Sequence, residues 1–333
     1  MKTLPKFVKD DYFKVDTECH VAAVPEHLDY YLQYRKENKA YGITRIMGLD
    51  QLDVPETPPL LERDATPDTM IDWMNKYGID MACVTREDLR RLSGGVAPIS
   101  TNSYIVKACE AYPKRFIFMA NLHPVLYRDM KHVLWELNYL VKEKNCRLVG
   151  EFSPMEEAPI NDRRLWPFYA ELAKLGIPVV IHTGMNWVQP GYSRYCHPQL
   201  LEDVAEEFPN LTIIALHCAW PYYHDLNLIA SSYANIYSSL SLICPWFITA
   251  PRRIGMIIGE ALQFIGSDRI VWGTDNFGVE ARARVCVQGF SEFQIPEDLQ
   301  QGYGFPPLSD EDKRKIFGLN MAKLLGIEST RLV

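Results

Sequence analysis

The sequence predicts an α/β protein, a (β/α)8 (TIM) barrel with insertions after its first and last strands. Three observations predict it. Eight short apolar, β-branched runs punctuate the chain, and segments of helical period separate them. The runs are apolar on both faces, which suits buried parallel strands rather than half-exposed hairpins. A doubly wound sheet would want a Gly-rich turn after an early strand, and no GxGxxG follows any of these runs. With 333 residues, 47% apolar and 23% charged, the chain can bury one large core.

The predicted strands are 13–20, 79–85, 115–121, 146–152, 178–183, 211–218, 235–242 and 269–275. Before the second, Thr66, Pro67 and Asp68 read as an N-cap, a first-turn proline and a first-turn acid, with Gly78 as the stop. Met130, Val133, Leu134, Leu137 and Val141 keep a 3.6-residue rhythm between strands three and four. Leu165, Phe168, Tyr169 and Leu172 repeat it before strand five, and Leu200, Leu201, Val204 and Phe208 after it. Ile254, Ile257, Ile258 and Leu262 precede strand eight. Ser309 and Asp312, in capping-box spacing, open a last helix that Gly326 closes.

Residues 1–333 are read as a single domain. The stretch 21–65, with Pro25, Pro55, Pro58 and Pro59, is too long for a connector and is expected to fold over the barrel mouth. A second insertion, 280–308, reads as loop-rich from Gln294 to Pro307.

The net charge of −7, without a long basic cluster, argues against a nucleic-acid partner. No apolar run approaches the roughly 18 residues of a membrane helix, and the opening MKTLPKFVKDDYF lacks the charged and apolar regions of a secretory leader. The eight cysteines (19, 83, 109, 146, 196, 218, 244, 286) form no CxxC pair and are expected to be reduced. The expected location is the cytoplasm.

Reactive residues of such a barrel sit at the C-terminal ends of its strands. Strand one ends in FKVDTECH, where Glu18 and His20 are spaced i, i+2 and so share a face. His182 ends strand five, His217 strand six and Asp275 strand eight. Singly, each has an ordinary structural explanation; together they place carboxylates and imidazoles, the ligands of a divalent ion, on one rim.

This layout resembles the amidohydrolase superfamily, and the resemblance covers nearly the whole chain. The Gly273-Thr274-Asp275 triplet and the closing segment KIFGLNMAKLLGI reinforce it. The superfamily's usual first motif is His-x-His. Here Glu18 stands where the first histidine would be, which is similar to the decarboxylase branch that acts on γ-resorcylate, 5-carboxyvanillate and aminocarboxymuconate semialdehyde. The resemblance implies one divalent ion, Zn²⁺ or Mn²⁺, held by Glu18, His20, His182 and Asp275, with His217 as a catalytic residue beside them. Two-metal relatives carry a carboxylated lysine after strand four. This chain has Gly150-Glu151-Phe152 there, which favours one ion, although Glu151 could bridge two.

The implied activity is a metal-dependent, non-oxidative decarboxylase, a carbon–carbon lyase for a hydroxylated aromatic or unsaturated carboxylic acid. Asp275 or His217 would protonate the carbon that bears the carboxylate. A hydrolase of a lactone or amide, or a hydratase, could use the same residues. The small-molecule carboxylate wants a cation, and Arg86 and Arg194 are the candidates. Trp187 and Phe277 are expected to line the pocket, with Trp220, Tyr222 and Trp246 also following rim positions. Relatives are commonly homodimers or homotetramers, and often recruit an arginine from a neighbouring subunit.

Overall fold

The computed structural model describes residues 1–21, 43–58, 64–86, 100–151, 153–186 and 191–333. Its barrel strands are β1 (Val15–His20), β2 (Met81–Thr85), β3 (Phe116–Asn121), β4 (Leu148–Glu151), β5 (Val179–Ile181), β6 (Ile213–Ala215), β7 (Ile236–Ser239) and β8 (Ile270–Val271). They pair in parallel, each with its neighbour in the chain. The seam between β8 and β1 closes through backbone bonds. Thr17 N donates to Trp272 O (3.1 Å), Asp275 N to Glu18 O (2.9 Å) and His20 N to Asn276 O (3.0 Å). The predicted barrel is the observed one.

A helix follows each strand: α1 (Pro67–Tyr77), α2 (Asn102–Ala111), α3 (Met130–Lys144), α4 (Trp166–Leu175), α5 (Leu200–Glu207), α6 (Tyr223–Ser232), α7 (Pro251–Ile265) and α8 (Glu280–Glu292). The caps read from the sequence are present. Thr66 caps α1, which ends at left-handed Gly78 (φ 71°). Ser309 and Asp312 form a reciprocal capping box, and the closing helical segment stops at left-handed Gly326. Sequence periodicity does not single out α2, α6 or α8; Thr101 caps α2 by accepting from Tyr104 N at 3.2 Å.

Strand alternation divides the core in two. Val15, Cys83, Ile117, Met119, Leu148, Val180, Ile214 and Val271 pack inside the barrel, where Met321, Ala322 and Leu325 of the closing helix join them. Ala82, Val84, Phe116, Phe118, Val149, Val179, Ile181, Ile213 and Ile270 face the helices. The strands are apolar on both faces because both faces are covered.

The region after β8 differs from the expectation. The segment 280–308 is largely helical, with α8 followed by a further helix, Glu297–Tyr303. Ten consecutive residues of α8, Ala281–Phe290, are buried, Arg282, Arg284 and Gln288 among them. Buried polar residues interrupt the apolar stripe by which a surface helix is recognised.

Of the 21–65 insertion, residues 22–42 and 59–63 lie outside the described residues. In the described part, Leu52–Asp53 pairs in parallel with Lys2–Thr3. Trp246 Nε1 donates to Ile46 O (3.0 Å) and Thr249 Oγ1 to Met47 O (2.7 Å), so this part packs on the segment after β7. All eight cysteines are free thiols, seven of them buried. Among the described residues no helix is long and apolar enough to cross a membrane.

Candidate metal centre

Strand β1 is not a regular strand. Asp16 pairs with Ala82 and Cys19 with Val84, so two residues, Thr17 and Glu18, stand opposite Cys83 alone. This is a β-bulge, a device that re-aims side chains. Val15 faces the barrel interior, and unbroken alternation from it would send Glu18 and His20 outward. The extra residue turns both inward. Asp16 holds the bulge: its buried carboxylate accepts from Glu18 N (3.2 Å), Cys19 Sγ (2.9 Å), Thr274 N (2.8 Å) and Thr274 Oγ1 (2.5 Å). The sequence reading missed this role; an acid in an otherwise apolar run was its only signal.

The strand ends opposite are turned inward by backbone of the other hand. His217, Cys218 and Ala219 after β6, Leu242 after β7 and Asp275 after β8 all have positive φ, from 47° to 67°. A left-handed conformation costs an L-residue about 1–2 kcal/mol. Such strain collects where a fold over-determines a functional geometry.

The side chains meet. One donor atom each from Glu18, His217 and Asp275 lies within 4.8 Å of the others, and all three residues are buried. His20 Nε2 is 3.1 Å from Asp275 Oδ1 and 3.9 Å from Glu18 Oε1. His182 Nδ1 is 3.1 Å from His217 Nε2. His217 Nδ1 faces Ser241, at 3.2 Å from its carbonyl and 3.1 Å from its hydroxyl. The five residues expected on one rim thus form one contiguous cluster. The tight trio contains His217, where the resemblance had implied His20 and His182 as ligands.

Burial sets the protonation of the histidines. It pushes His182 down to about 3, helped by neighbouring His217, and it also lowers His217. Burial pushes Asp275 the other way, but the hydrogen bond with His20 and the charge of Arg282 outweigh it and keep the carboxylate ionised. Neutral imidazoles beside an ionised carboxylate are the ligand states a divalent cation requires. The donor set therefore fits such an ion.

The remaining predicted residues divide. The ring of Phe277 stacks on His20 at 3.8 Å. Arg86 is buried at the end of β2, with Nε on Asn121 O (2.8 Å) and Nη2 on His123 O (2.6 Å), so it ties the ends of β2 and β3 together. Arg194 is exposed and lies over the rings of Tyr192 (4.1 Å) and Tyr195 (5.0 Å), outside the buried cluster. Trp187 lies outside the described residues. Trp246 is fully buried against Trp220, and Tyr222 packs on His197. Glu151 is buried at the end of β4 and accepts from Ser153 Oγ (3.1 Å).

A barrel with buried carboxylates and imidazoles at its strand ends offers a candidate site for a divalent ion. The chain belongs to the amidohydrolase family, whose model matches residues 15–327. Among solved structures it is similar to an uncharacterized TIM-barrel protein from Bordetella bronchiseptica (19% identity, TM-score 0.66, covering 94% of this chain and 98% of that one). It is also similar to a 5-carboxyvanillate decarboxylase from Novosphingobium aromaticivorans, complexed with manganese and 4-hydroxy-3-methoxy-5-nitrobenzoic acid (17%, 0.64, 95% and 96%). A dihydroxybenzoic acid decarboxylase from Polaromonas, with bound manganese and 2-nitroresorcinol, is similar over 95% and 97% of the two chains (17%, 0.59). Protein fluG of Emericella nidulans is 25% identical over 126 residues, a match that spans 36% of this chain and 14% of that protein.

Proposed function

We propose that this protein is a metal-dependent decarboxylase of a hydroxylated aromatic or unsaturated carboxylic acid. The observation that carries the reading is Glu18, a carboxylate turned into the cluster beside His20 by the bulge of β1. The similar decarboxylases with bound manganese support it at the level of the fold. Glu18, His20, His182 and Asp275 would hold the ion, and oxygen-rich ligation tilts the choice toward Mn²⁺ over Zn²⁺. The bound cation would supply Lewis acidity toward the substrate's carboxylate and neighbouring hydroxyl oxygens.

The chain's own residues do the rest. His217, with its Nδ1 hydrogen directed to Ser241 O, presents a bare Nε2 that accepts from His182 Nδ1. That tautomer, assigned from the hydrogen-bond partners, leaves the other ring nitrogen of His182 as a lone-pair donor to the ion. Asp275 is ionised and adjacent, so it can take the proton of the substrate's hydroxyl group and deliver it to the carbon bearing the carboxylate. The carbon–carbon bond then breaks with its electrons returning to the ring. Carbon dioxide leaves, and the phenolate regains a proton from water. Arg86, held at the end of β2 by the Asn121 and His123 carbonyls, is the cation proposed for the substrate carboxylate, and Phe277 covers one face of the His20 ring.

One observation favours a second reading. A carboxylate held ionised is also a base, suited to deprotonating an attacking water in hydrolysis of a lactone or amide. A panel of hydroxybenzoates and lactones, supplied with Mn²⁺, separates the two. The expected result is carbon dioxide release from at least one hydroxybenzoate. Ring opening of lactones with no carbon dioxide from any acid would replace the first reading by the second.

A further inference from the structure

Arg282 is buried on α8, beside Asp275. Its Nε donates to Thr274 O at 2.8 Å and its Nη2 to Leu242 O at 3.2 Å. Those carbonyls belong to the turns after β8 and β7. In these turns Asp275 (φ 50°) and Leu242 (φ 67°) hold left-handed conformations that side chains other than glycine avoid. The Thr274 carbonyl is part of the peptide unit that leads directly into Asp275, so fixing it fixes the direction from which Asp275 enters the cluster. Nη2 also lies 3.9 Å from Asp275 Oδ2, while Oδ1 is engaged with His20. A planar guanidinium fork can reach two acceptors at once, which a lysine cannot do in the same geometry.

We propose that Arg282 is a positioning residue for Asp275, clamping two strained turns so that the carboxylate is preorganised to bind the metal ion. The proposal rests on reading the cluster as a metal centre, and it does not depend on which reaction that centre performs. A plain counter-charge would be restored by lysine, which carries the same charge, so Arg282→Lys would then bind the ion as the wild type does. Removal of a clamp frees Asp275 from its left-handed conformation and loosens binding.

Mn²⁺ titration of the full-length protein, followed by the electron paramagnetic resonance signal of the free ion, distinguishes these. Wild type, Arg282→Gln and Arg282→Lys are compared at a temperature where circular dichroism shows each folded. The expected result is one Mn²⁺ per wild-type chain, affinity at least about tenfold weaker in Arg282→Gln, and an intermediate loss in Arg282→Lys. Unchanged or tighter binding in the glutamine variant, or wild-type affinity in the lysine variant, overturns the proposal. If that variant does not fold, the lysine variant decides by the same criterion. A wild-type chain that binds no Mn²⁺ defeats the metal-centre reading itself.

Discussion

The carboxylate of Asp16 accepts hydrogen bonds from both the amide and the hydroxyl of Thr274, at 2.8 and 2.5 Å. This contact spans the seam where the barrel closes, and it joins the bulge that aims Glu18 to the turn that aims Asp275. One buried acid therefore sets the approach of two others. Asp16→Ala would leave the Thr274 donors and Glu18 N without their acceptor. A buried donor left without its acceptor costs about 1–3 kcal/mol. Chemical denaturation is expected to show a loss of about 3 kcal/mol, with Mn²⁺ content falling in parallel.

Glu18→Ala and Asp275→Ala test the centre directly. Each is expected to bring bound Mn²⁺ below about half an ion per chain and to lower turnover by about 100-fold or more. Metal analysis after gel filtration gives the first readout, and carbon dioxide release the second. Normal metal content in either variant would remove that residue from the ligand set.

Acid should weaken the metal-free protein. Burial depresses His182 from its ordinary 6.5 to about 3. Between those values the unfolded chain binds a proton that the folded chain refuses. Stability is therefore complete above about pH 6.5 and declines as pH falls toward 3, by up to about 1.4 kcal/mol per pH unit. His217, also lowered by burial, acts in the same direction. Urea midpoints at pH 7 and pH 5 measure the slope, and His182→Asn should flatten it.

Gly273 sits where β8 leads into the site. A Cβ added there would lie 2.4 Å from Thr17 Oγ1 and 3.1 Å from Ser241 Cβ. Gly273→Ala must push β1 and the turn after β7 apart. The expected destabilisation is about 1–3 kcal/mol, typical of overpacking a filled core. A thermal melt checks it, and an unchanged midpoint would mean the seam has slack.

The sequence makes the strands of this barrel legible because burial on both faces leaves runs that are apolar without alternation, as in Phe116–Asn121. The residues of the centre are legible for a related reason: a charged or imidazole side chain ending such a run has few places to go. The face of β1 is not legible. Strand spacing says that Glu18 and His20 lie on one side, but which side depends on an extra residue whose pairing with Cys83 is visible only in three dimensions. His217 is similar, because its left-handed backbone departs from the alternation that the preceding residues suggest. Arg282 is hidden for another reason. It lies within a helix buried on all sides, where an arginine reads as ordinary solvated surface until its two carbonyl partners are seen.

The bulge also changes what a deletion should do. Removing one residue from a buried strand ordinarily reverses the facing of everything beyond it. In β1 the halves on either side of Thr17 and Glu18 are already out of phase, and one of those two residues is surplus to the ladder. Deleting Thr17 would leave Glu18 opposite Cys83 and His20 opposite Thr85, both still directed inward. A shortened chain that folds and retains Mn²⁺ is the expected outcome, and a deletion variant that folds without binding Mn²⁺ would contradict it. The strand is expected to tolerate a change of length at the point where its chemistry is densest, because the surplus residue lies outside the ladder.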